Sequence, residues 1–399
     1  MAKQVNTGLL IFLIILSFNL SAFPVDQYSA SLPAMVHALN SSINVMQWSI
    51  TIFVIMIGVS QLLLAPFSDR LGRRPILLGG LVIFLIGNVI CILASTGTEL
   101  IIGRIIGGIG AGGISLTAPA LLGDTFEGKM LNRITAYASM FYSLLIYILS
   151  PLIAGYLQVH FGWHANFILI FCYEALAFLI VLFLLPETHR AMTNKTSIGK
   201  MFAEYLTIIK QPVYLSGSIC MSLAWCLLVV FNLIVPFLIE NSLGYSAEHY
   251  GYLTFLVGIA FFAGSGICSV LLKYFRIPII MYMGLFIIII VSLIILLISA
   301  LGYFNQWTII VPSMFVIASA GLCIPIGYSS AVEVFKKSDL SGRAGAFLGI
   351  PAVIASFLLM FIMMNIANKS FALLGGLYLL LGVICLVSYT GGRYVAKPQ

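Results

Sequence analysis

Residues 278–300 read PIIMYMGLFIIIIVSLIILLISA and contain no charged side chain. A helix needs about 20 mostly apolar residues to cross the hydrocarbon core of a bilayer, so this stretch alone predicts a membrane-spanning helix. The rest of the 399-residue chain has the same character, with 61% hydrophobic and 8% charged residues. An ordinary soluble domain has about 25% charged residues. The composition therefore argues against a soluble enzyme, a disordered protein and a nucleic-acid-binding protein.

Twelve apolar segments of this kind follow one another along the chain, and each predicts a spanning helix. Their approximate bounds are 7–29, 45–66, 76–95, 99–120, 131–157, 166–185, 213–237, 247–272, 278–300, 307–330, 342–365 and 371–391. A polar stretch at residues 187–211 separates the first six segments from the last six. We therefore predict an all-α membrane protein with two six-helix bundles, at residues 1–190 and 212–399, joined by a cytoplasmic linker at 191–211.

The distribution of basic residues predicts the orientation. With the N-terminus inside, all 19 Lys and Arg residues except Lys369 and Arg104 lie on the cytoplasmic side. Cytoplasmic loops of membrane proteins carry an excess of Lys and Arg. Both termini are therefore predicted to be cytoplasmic.

The loop between the second and third predicted helices reads APFSDRLGRRP at residues 65–75. It resembles the G-x-L-a-D-R-x-G-R-[KR] signature of the major facilitator superfamily, with Ala65 in place of the usual first Gly. The alternative is a basic turn that only satisfies the charge rule, but the spacing of Asp69, Gly72 and Arg73 favours the signature. Gly72 permits a tight turn, and Asp69 is an anion suited to a helix N-terminus.

The resemblance implies a conformational latch at this loop. In the family, the acid latches onto the start of the eleventh helix, here near Ser341–Gly342. The first Arg after the Gly pairs with an acid that follows the fourth helix. The matching residues are Asp69, Gly72, Arg73 and Asp124. Such a latch would brace one conformational state and would not bind substrate.

The fourth predicted helix contains LIIGRIIGGIGAGG at residues 100–113. It is similar to the superfamily pattern R-x-x-Q-G-x-G, with Gly107 where Gln is common. A dinucleotide-binding GxGxxG loop would need a preceding strand and a soluble βαβ unit, so these glycines are expected to serve close helix packing instead. Arg104 lies deep in the same helix, and charges at such depth are costly and functional by default.

Residues 23–33 read FPVDQYSASLP, near the outer end of the first predicted helix. They resemble the T-D-M-Y-L-P-A-L-P stretch of the bicyclomycin/multidrug-resistance group of drug:proton antiporters, and Asp26 and Pro33 match it. Topology places Asp26 at the depth of Arg104, which predicts a proton-coupling pair. The alternative is that Asp26 is a helix-end acid already in water. Asn19, seven residues earlier, would extend a polar stripe into the cavity.

Residues 150–155, SPLIAG, resemble a degraded form of the antiporter signature G-x-x-x-G-P-x-x-G-G. Pro151 and Gly155 are kept, and Ser150 and Ala154 are small substitutes. A proline loosens the hydrogen-bond ladder of a helix, and small residues allow close packing. Other helix bundles also use proline kinks, so the motif favours export over import without deciding between them.

Four further positions are candidates for lining the substrate cavity. Glu174 is another charge within a predicted span, and Phe178 follows one turn later on the same face. Its carboxyl group either hydrogen-bonds to a neighbouring helix or lies among aromatic rings, which would suit lipophilic cations. Trp225 and Asn232 are seven residues apart on the seventh predicted helix, although aromatic residues in membrane helices often serve packing alone.

Together these features predict a proton-coupled secondary transporter of a bacterial inner (plasma) membrane. By resemblance it would export small amphipathic molecules, as multidrug efflux proteins do, by alternating access. The alternatives are a dedicated exporter of an endogenous metabolite or siderophore, a proton-coupled nutrient importer, and a non-transporting receptor or scaffold.

The same features predict the partners of the chain. The expected partners are a small-molecule substrate, protons and the lipid bilayer, without nucleic acid, and the protein is expected to be a monomer. We expect no enzymatic activity, cofactor or metal, because the five His are scattered and the seven Cys lie in apolar runs. The proton gradient would be the driving force.

Overall fold

A computed structural model describes residues 7–21, 23–126, 134, 141, 144–187, 206–335, 348–364 and 370–395. The regular structure in these ranges is helical, and no strand occurs in them. Eleven of the helices there are long and apolar enough to cross a membrane. A shorter apolar helix, Pro351–Met363, occupies the eleventh predicted span, whose first residues lie outside the described ranges. The predicted all-α membrane fold is confirmed, while the orientation of the termini stays a prediction.

The helices are numbered here in chain order. The first half of the chain contains α1 Thr7–Leu20, α2 Phe23–Asp26, α3 Leu32–Ala38, α4 Ile43–Leu71, α5 Arg73–Leu93, α6 Gly97–Thr125, α7 Ser150–Phe161 and α8 His164–Leu184. The second half contains α9 Pro212–Phe237, α10 Ala247–Leu271, α11 Ile277–Ala300, α12 Gln306–Glu333, α13 Gly349–Met364 and α14 Phe371–Val395. Two π-helical segments, Leu144–Leu149 and Leu238–Ser242, precede α7 and follow α9.

The first predicted span is interrupted, and the expectation of one continuous helix over residues 7–29 is wrong. α1 ends at Leu20, and α2, a 3₁₀ turn at Ser29–Ser31 and α3 follow. Pro24 explains the end of α1, because a proline has no N–H group and its ring clashes with the carbonyl four residues earlier, here that of Leu20. Pro33 lies in the first turn of α3, where a missing N–H group is tolerated.

The chain divides into two compact units. The first contains Met1–Lys195 and Ser246–Tyr252, and the second contains Thr196–Tyr245 and Leu253–Gln399. The predicted bundle boundaries, 1–190 and 212–399, stay a prediction. Most of the predicted linker, 191–211, lies outside the described residues.

Glycines of α6 bring this helix into close contact with α4 and α5 in the first unit. A Cβ atom built on Gly103 would lie 2.8 Å from the carbonyl oxygen of Gly87 on α5. One built on Gly108 would lie 2.7 Å from the carbonyl oxygen of Phe53 on α4. Since real Cβ atoms do not approach this closely, only glycine fits, and the predicted role of these glycines in packing is confirmed.

The second unit contains a similar close approach. α9 packs against α12, α13 and α14. Where α9 meets α12, Cβ atoms built on Gly217 and Gly327 would lie 2.8 and 2.9 Å from each other's carbonyl oxygens. Pairs of small residues therefore set helix spacing in both units.

Candidate functional site at the break in the first span

Arg104 projects from α6 and is almost fully buried, with 3% of its surface exposed. Its Nε donates to the carbonyl oxygen of Ser49 on α4 at 3.1 Å, and its Nη1 donates to the carbonyl oxygen of Pro24 on α2 at 3.3 Å. The guanidinium carbon lies 3.7 Å from the ring centroid of Phe53 and 4.9 Å from that of Tyr28. The side chain therefore joins α6 to α4 and to the broken part of the first span.

The break in the first span provides what a buried arginine needs. Because α2 ends at Asp26, the carbonyl of Pro24 lies in a last helical turn, where carbonyls lack intrahelical partners. A charge at this depth costs at least about 2.5–3.5 kcal/mol. Hydrogen bonds to a charged group contribute about 1.5–3 kcal/mol each, and a desolvated cation–π contact about 2 kcal/mol. These contacts offset part of the cost of burying Arg104, whose Nη2 has no hydrogen-bond partner among the described residues.

Asp26, the predicted partner of Arg104, is the last residue of α2, two positions after Pro24. Its backbone is therefore close to the carbonyl that Arg104 binds. Its side chain is outside what the structure describes. The proton-coupling pair of Asp26 and Arg104 accordingly stays a prediction.

Tyr28 ties the broken segment to its neighbours. Its hydroxyl lies 2.8 Å from Oγ of Ser49. Ser49 Oγ donates to the carbonyl oxygen of Met46 at 2.6 Å, so Tyr28 is the donor in its contact with Ser49. The ring of Tyr28 packs on that of Phe167 in α8, with centroids 4.9 Å apart. The backbone at the break is thereby held against both α4 and α8.

A buried hydrogen-bond network, which none of the sequence motifs predicts, lies beside this segment. The amide of Asn166 on α8 accepts from Gln27 Nε2 at 3.2 Å and donates to Ser31 Oγ at 2.9 Å and to the carbonyl oxygen of Ala154 at 3.3 Å. Ser150 Oγ donates to Gln27 Oε1 at 2.6 Å. All four polar side chains are fully buried. The signal was the series of uncharged polar residues after Asp26, in an otherwise apolar span.

The predicted antiporter-like motif at residues 150–155 contributes to this network. Ser150 begins α7 directly after a π-helical segment, and Pro151 lies in the first turn. Ala154 and Gly155 are buried one turn later. A Cβ atom on Gly155 would lie 2.5 Å from the carbonyl oxygen of Ala247, which belongs to the same unit. The motif thus combines a polar contact to the first span with a close backbone approach.

The structure brings Arg73 and Asp124, two of the predicted latch residues, together. Nε of Arg73 and Oδ2 of Asp124 lie 2.9 Å apart, and Arg73 Nη1 donates to Ser68 Oγ at 2.9 Å. Gly72 has φ 101°, a backbone conformation that suits glycine, and it separates α4 from α5. The side chain of Asp69 and residues Ser341–Gly342 lie outside the described part of the chain. The latch role of these residues stays a prediction.

Glu187 supplies the anion at the start of α5. Its two carboxylate oxygens accept from the backbone N–H groups of Arg73 at 3.0 Å and Arg74 at 3.2 Å. A carboxylate at this position interacts favourably with the first N–H groups of a helix and with the helix dipole. The sequence motif indicates Asp69 as an anion suited to a helix N-terminus. Glu187 could not be predicted, because a contact between residues 114 positions apart leaves no local pattern.

The five predicted cavity residues are divided between the two units. In the first unit, Asn19 and Glu174 are fully buried, and Phe178 is half-buried. Asn19 Nδ2 donates to the carbonyl oxygen of Ile15 one turn earlier in its own helix. In the second unit, the half-buried residues are Trp225 and Asn232. Their shared role as a substrate cavity stays a prediction.

Comparisons with known proteins give the same classification as the motifs. The family model of the Major Facilitator Superfamily matches residues 7–350. Multidrug resistance protein D of Escherichia coli (strain K12) is 27% identical over 352 residues, which are 88% of this chain and 86% of that protein. Multidrug resistance protein MdtL of Citrobacter koseri is 25% identical over 226 residues, 57% of each chain.

A solved structure has the same fold. The crystal structure of a D-xylose-proton symporter superposes with a TM-score of 0.79, covering 96% of this chain and 97% of that one. The two sequences are 17% identical in that superposition, so the likeness concerns the fold alone.

Proposed function

The chain belongs to the Major Facilitator Superfamily, and on that premise we propose that it exports small amphipathic molecules in exchange for protons, by alternating access. The family consists of small-molecule transporters and not of enzymes. The chain is a multi-pass protein of the bacterial inner membrane. Two relatives are multidrug resistance proteins, which supports drug efflux as the direction and substrate class.

One observation carries the proposal: Arg104 is buried where the first span is broken. Interrupted membrane helices are where many transporters bind substrates and coupling ions. Arg104 keeps a fixed positive charge at that point, held by two main-chain carbonyls and two aromatic rings. A fixed cation attracts a nearby carboxylate and loses that attraction when the carboxylate is protonated, so protonation can be coupled to movement.

Asp26 is the proposed coupling carboxyl group. When ionised it pairs with Arg104 or with a cationic substrate, and protonation from outside neutralises it and weakens that pairing. Moving one elementary charge through the membrane potential supplies about 2.3 kcal/mol per 100 mV. This energy would favour net proton entry and therefore substrate exit.

The conformational cycle is proposed by analogy with the family fold. Two six-helix bundles would rock about a central site, with both termini in the cytoplasm, and the protein would act as a monomer without a cofactor. Arg73 and Asp124 would stabilise one of the two end states. The strongly one-sided distribution of Lys and Arg supports this orientation.

A proton-coupled importer is the main rival, because the D-xylose-proton symporter has the same fold. A dedicated exporter of a metabolite or siderophore is the second rival. Transport into everted membrane vesicles separates all three. We expect uptake of tetraphenylphosphonium or ethidium that an uncoupler abolishes and that the Asp26→Asn variant lacks. Movement of a pentose or of a siderophore, without movement of the cations, would reject the proposal.

A further inference from the structure

Glu174 is a buried acid in α8 to which the proposed cycle assigns no task. It is fully buried, and neither of its carboxyl oxygens has a hydrogen-bond partner among the described residues. No described cation forms an ion pair with it. Polar groups that proteins bury without a partner call for a specific explanation, because burying them unpaired is costly.

The position of Glu174 relates it to the break in the first span. The first span and α8 are antiparallel where they pack. Three contacts along them are Ser31–Asn166, Tyr28–Phe167 and Phe23–Tyr173. Glu174 directly follows the last of these positions. It therefore lies at the level where α1 ends and α2 begins, deeper in α8 than the Asn166 network. α1 itself also contacts α8.

From the broken segment, Tyr28 packs on Phe167 of α8, and Asp26 ends α2 with its side chain outside the described residues. The other described helices packed against α8 contribute the following charged and titratable groups. α1 contains no titratable residue. On α5, Arg73 and Arg74 lie at its first turn, where Arg74 Nη2 donates to the carbonyl oxygen of Leu182 at 2.7 Å. Cys91 lies near the last turn of α5, and His160 lies in the last turn of α7, where its ring packs on that of Tyr156. From α8 itself, the titratable side chains are His164 in the first turn and Cys172 and Tyr173 directly before Glu174.

We propose that Glu174 is a second proton-binding site of this transporter, distinct from Asp26. An ionised carboxylate without a partner is costly in such apolar surroundings, whereas the neutral acid is not. In the conformation described here, Glu174 therefore keeps its proton. In a conformation that admits water to the end of α1, a water molecule takes up this proton and leaves the carboxylate. In the return step, a hydronium ion gives a proton to one carboxylate oxygen and leaves as water.

The inference rests on the proposed function for its place in a cycle, but the site can be tested without transport. N,N′-dicyclohexylcarbodiimide reacts with protonated carboxyl groups in apolar surroundings, and mass spectrometry locates the modified residue. We expect the purified full-length protein to be labelled at Glu174. The exposed Glu99, whose Oε2 accepts hydrogen bonds from Ser95 and Thr96, should remain unlabelled as an internal control.

Proton counting gives a second, independent readout. After an alkaline pH jump, a pH dye should report about one proton fewer released per molecule of the isosteric Glu174→Gln variant than of the wild type, and no such loss for Glu99→Gln. If Glu174→Gln does not fold, carbodiimide labelling of Glu174 in the wild-type protein is the test of the second proton-binding site. Equal proton release by wild type and Glu174→Gln would overturn the proposal, as would failure to label Glu174 if the variant does not fold.

The two proposals fail in different ways. If Glu174 is labelled and releases its proton but no cation is transported against protons, the site stands and drug export is rejected. If antiport is observed and Glu174→Gln keeps both the same proton release and the same proton-to-substrate ratio, export stands and the second site is rejected.

Discussion

Nη1 of Arg104 lies 3.3 Å from the carbonyl oxygen of Pro24, so the buried cation of α6 caps the point where the first span leaves the helix. Pro24 interrupts that span, and the interruption exposes the carbonyl that the arginine needs. Two residues 80 positions apart in the sequence are therefore joined by a direct hydrogen bond. Any movement of the first span during transport has to carry this contact along or break it.

Substitutions of Arg104 should separate its charge from its shape. Arg104→Lys keeps the charge but cannot reach two carbonyls with a planar fork, so we expect unfolding free energy to fall by about 1.5–3 kcal/mol, the value of one such bond. Arg104→Met keeps the apolar stem and should lose both bonds. Unfolding in mixed micelles measures stability, and vesicle uptake measures transport. Normal transport by Arg104→Met would show that the residue serves packing alone.

The glycines of α6 and α5 offer a matched pair of variants. A Cβ atom on Gly110 would collide with the carbonyl oxygen of Gly80, whereas one on Gly79 meets nothing within 4 Å. We expect Gly110→Ala to destabilise the protein by about 1–3 kcal/mol through overpacking. Gly79→Ala should be neutral or stabilising by up to about 1 kcal/mol, since alanine is the better helix former. Equal effects in the same unfolding assay would contradict close packing at α6.

The buried amide network can be tested at its centre. Asn166→Ala removes one side chain and leaves Gln27, Ser31 and the carbonyl of Ala154 without the bonds it provides. Each buried polar group left unsatisfied costs about 1–3 kcal/mol, so the protein should lose at least that much stability. Ser150→Ala removes a single bond and should cost less. A larger loss for Ser150→Ala would place the centre of the network on α7 instead.

How far the sequence predicts this molecule depends on the range of the interactions. Apolar runs predicted the spans, because burial in a bilayer is a local property of about 20 residues. The break in the first span was missed because the length of the apolar run was given more weight than Pro24 and Pro33. Those two residues, with the polar Ser29 and Ser31 between them, were the available signal for an irregular segment.

The sequence identified several residues of the site but few of the contacts that they make. Arg104 was recognised from its cost in a membrane, yet its bonds go to main-chain carbonyls, which have no sequence signature. Arg73 and Asp124 were paired through the family resemblance alone. The Gln27–Asn166 contact joins residues 139 positions apart and depends on how three helices pack. Such contacts follow from tertiary structure and not from any local pattern.

The proposed latch predicts non-additive kinetics. Arg73→Ala and Asp124→Asn should each slow turnover with little change in ligand affinity, because both residues lie at helix ends and away from Arg104. The double variant should be no slower than the worse single one. The expected shift in the conformational equilibrium is about 1–3 kcal/mol, reported by the accessibility of introduced cysteines.

The exposed Lys273 provides a control for the latch, since Lys273→Ala removes a basic residue outside the signature loop. It should leave turnover and cysteine labelling unchanged. Lost ligand binding in Arg73→Ala, with unchanged labelling on both faces, would assign this cluster to the binding site instead.

Proton movement in proteoliposomes tests the central claim, proton-coupled export, most directly. Purified protein is reconstituted with a pH dye in the lumen, and the membrane potential is clamped with potassium and valinomycin. Tetraphenylphosphonium, a permanent cation that cannot carry protons itself, is then added outside. Antiport predicts that the lumen becomes alkaline as the cation enters, that the direction is independent of protein orientation, and that Asp26→Asn and protein-free liposomes give no signal. A lumen that becomes acidic would show symport, and a full response from Asp26→Asn would remove that residue from the coupling; either result contradicts the account.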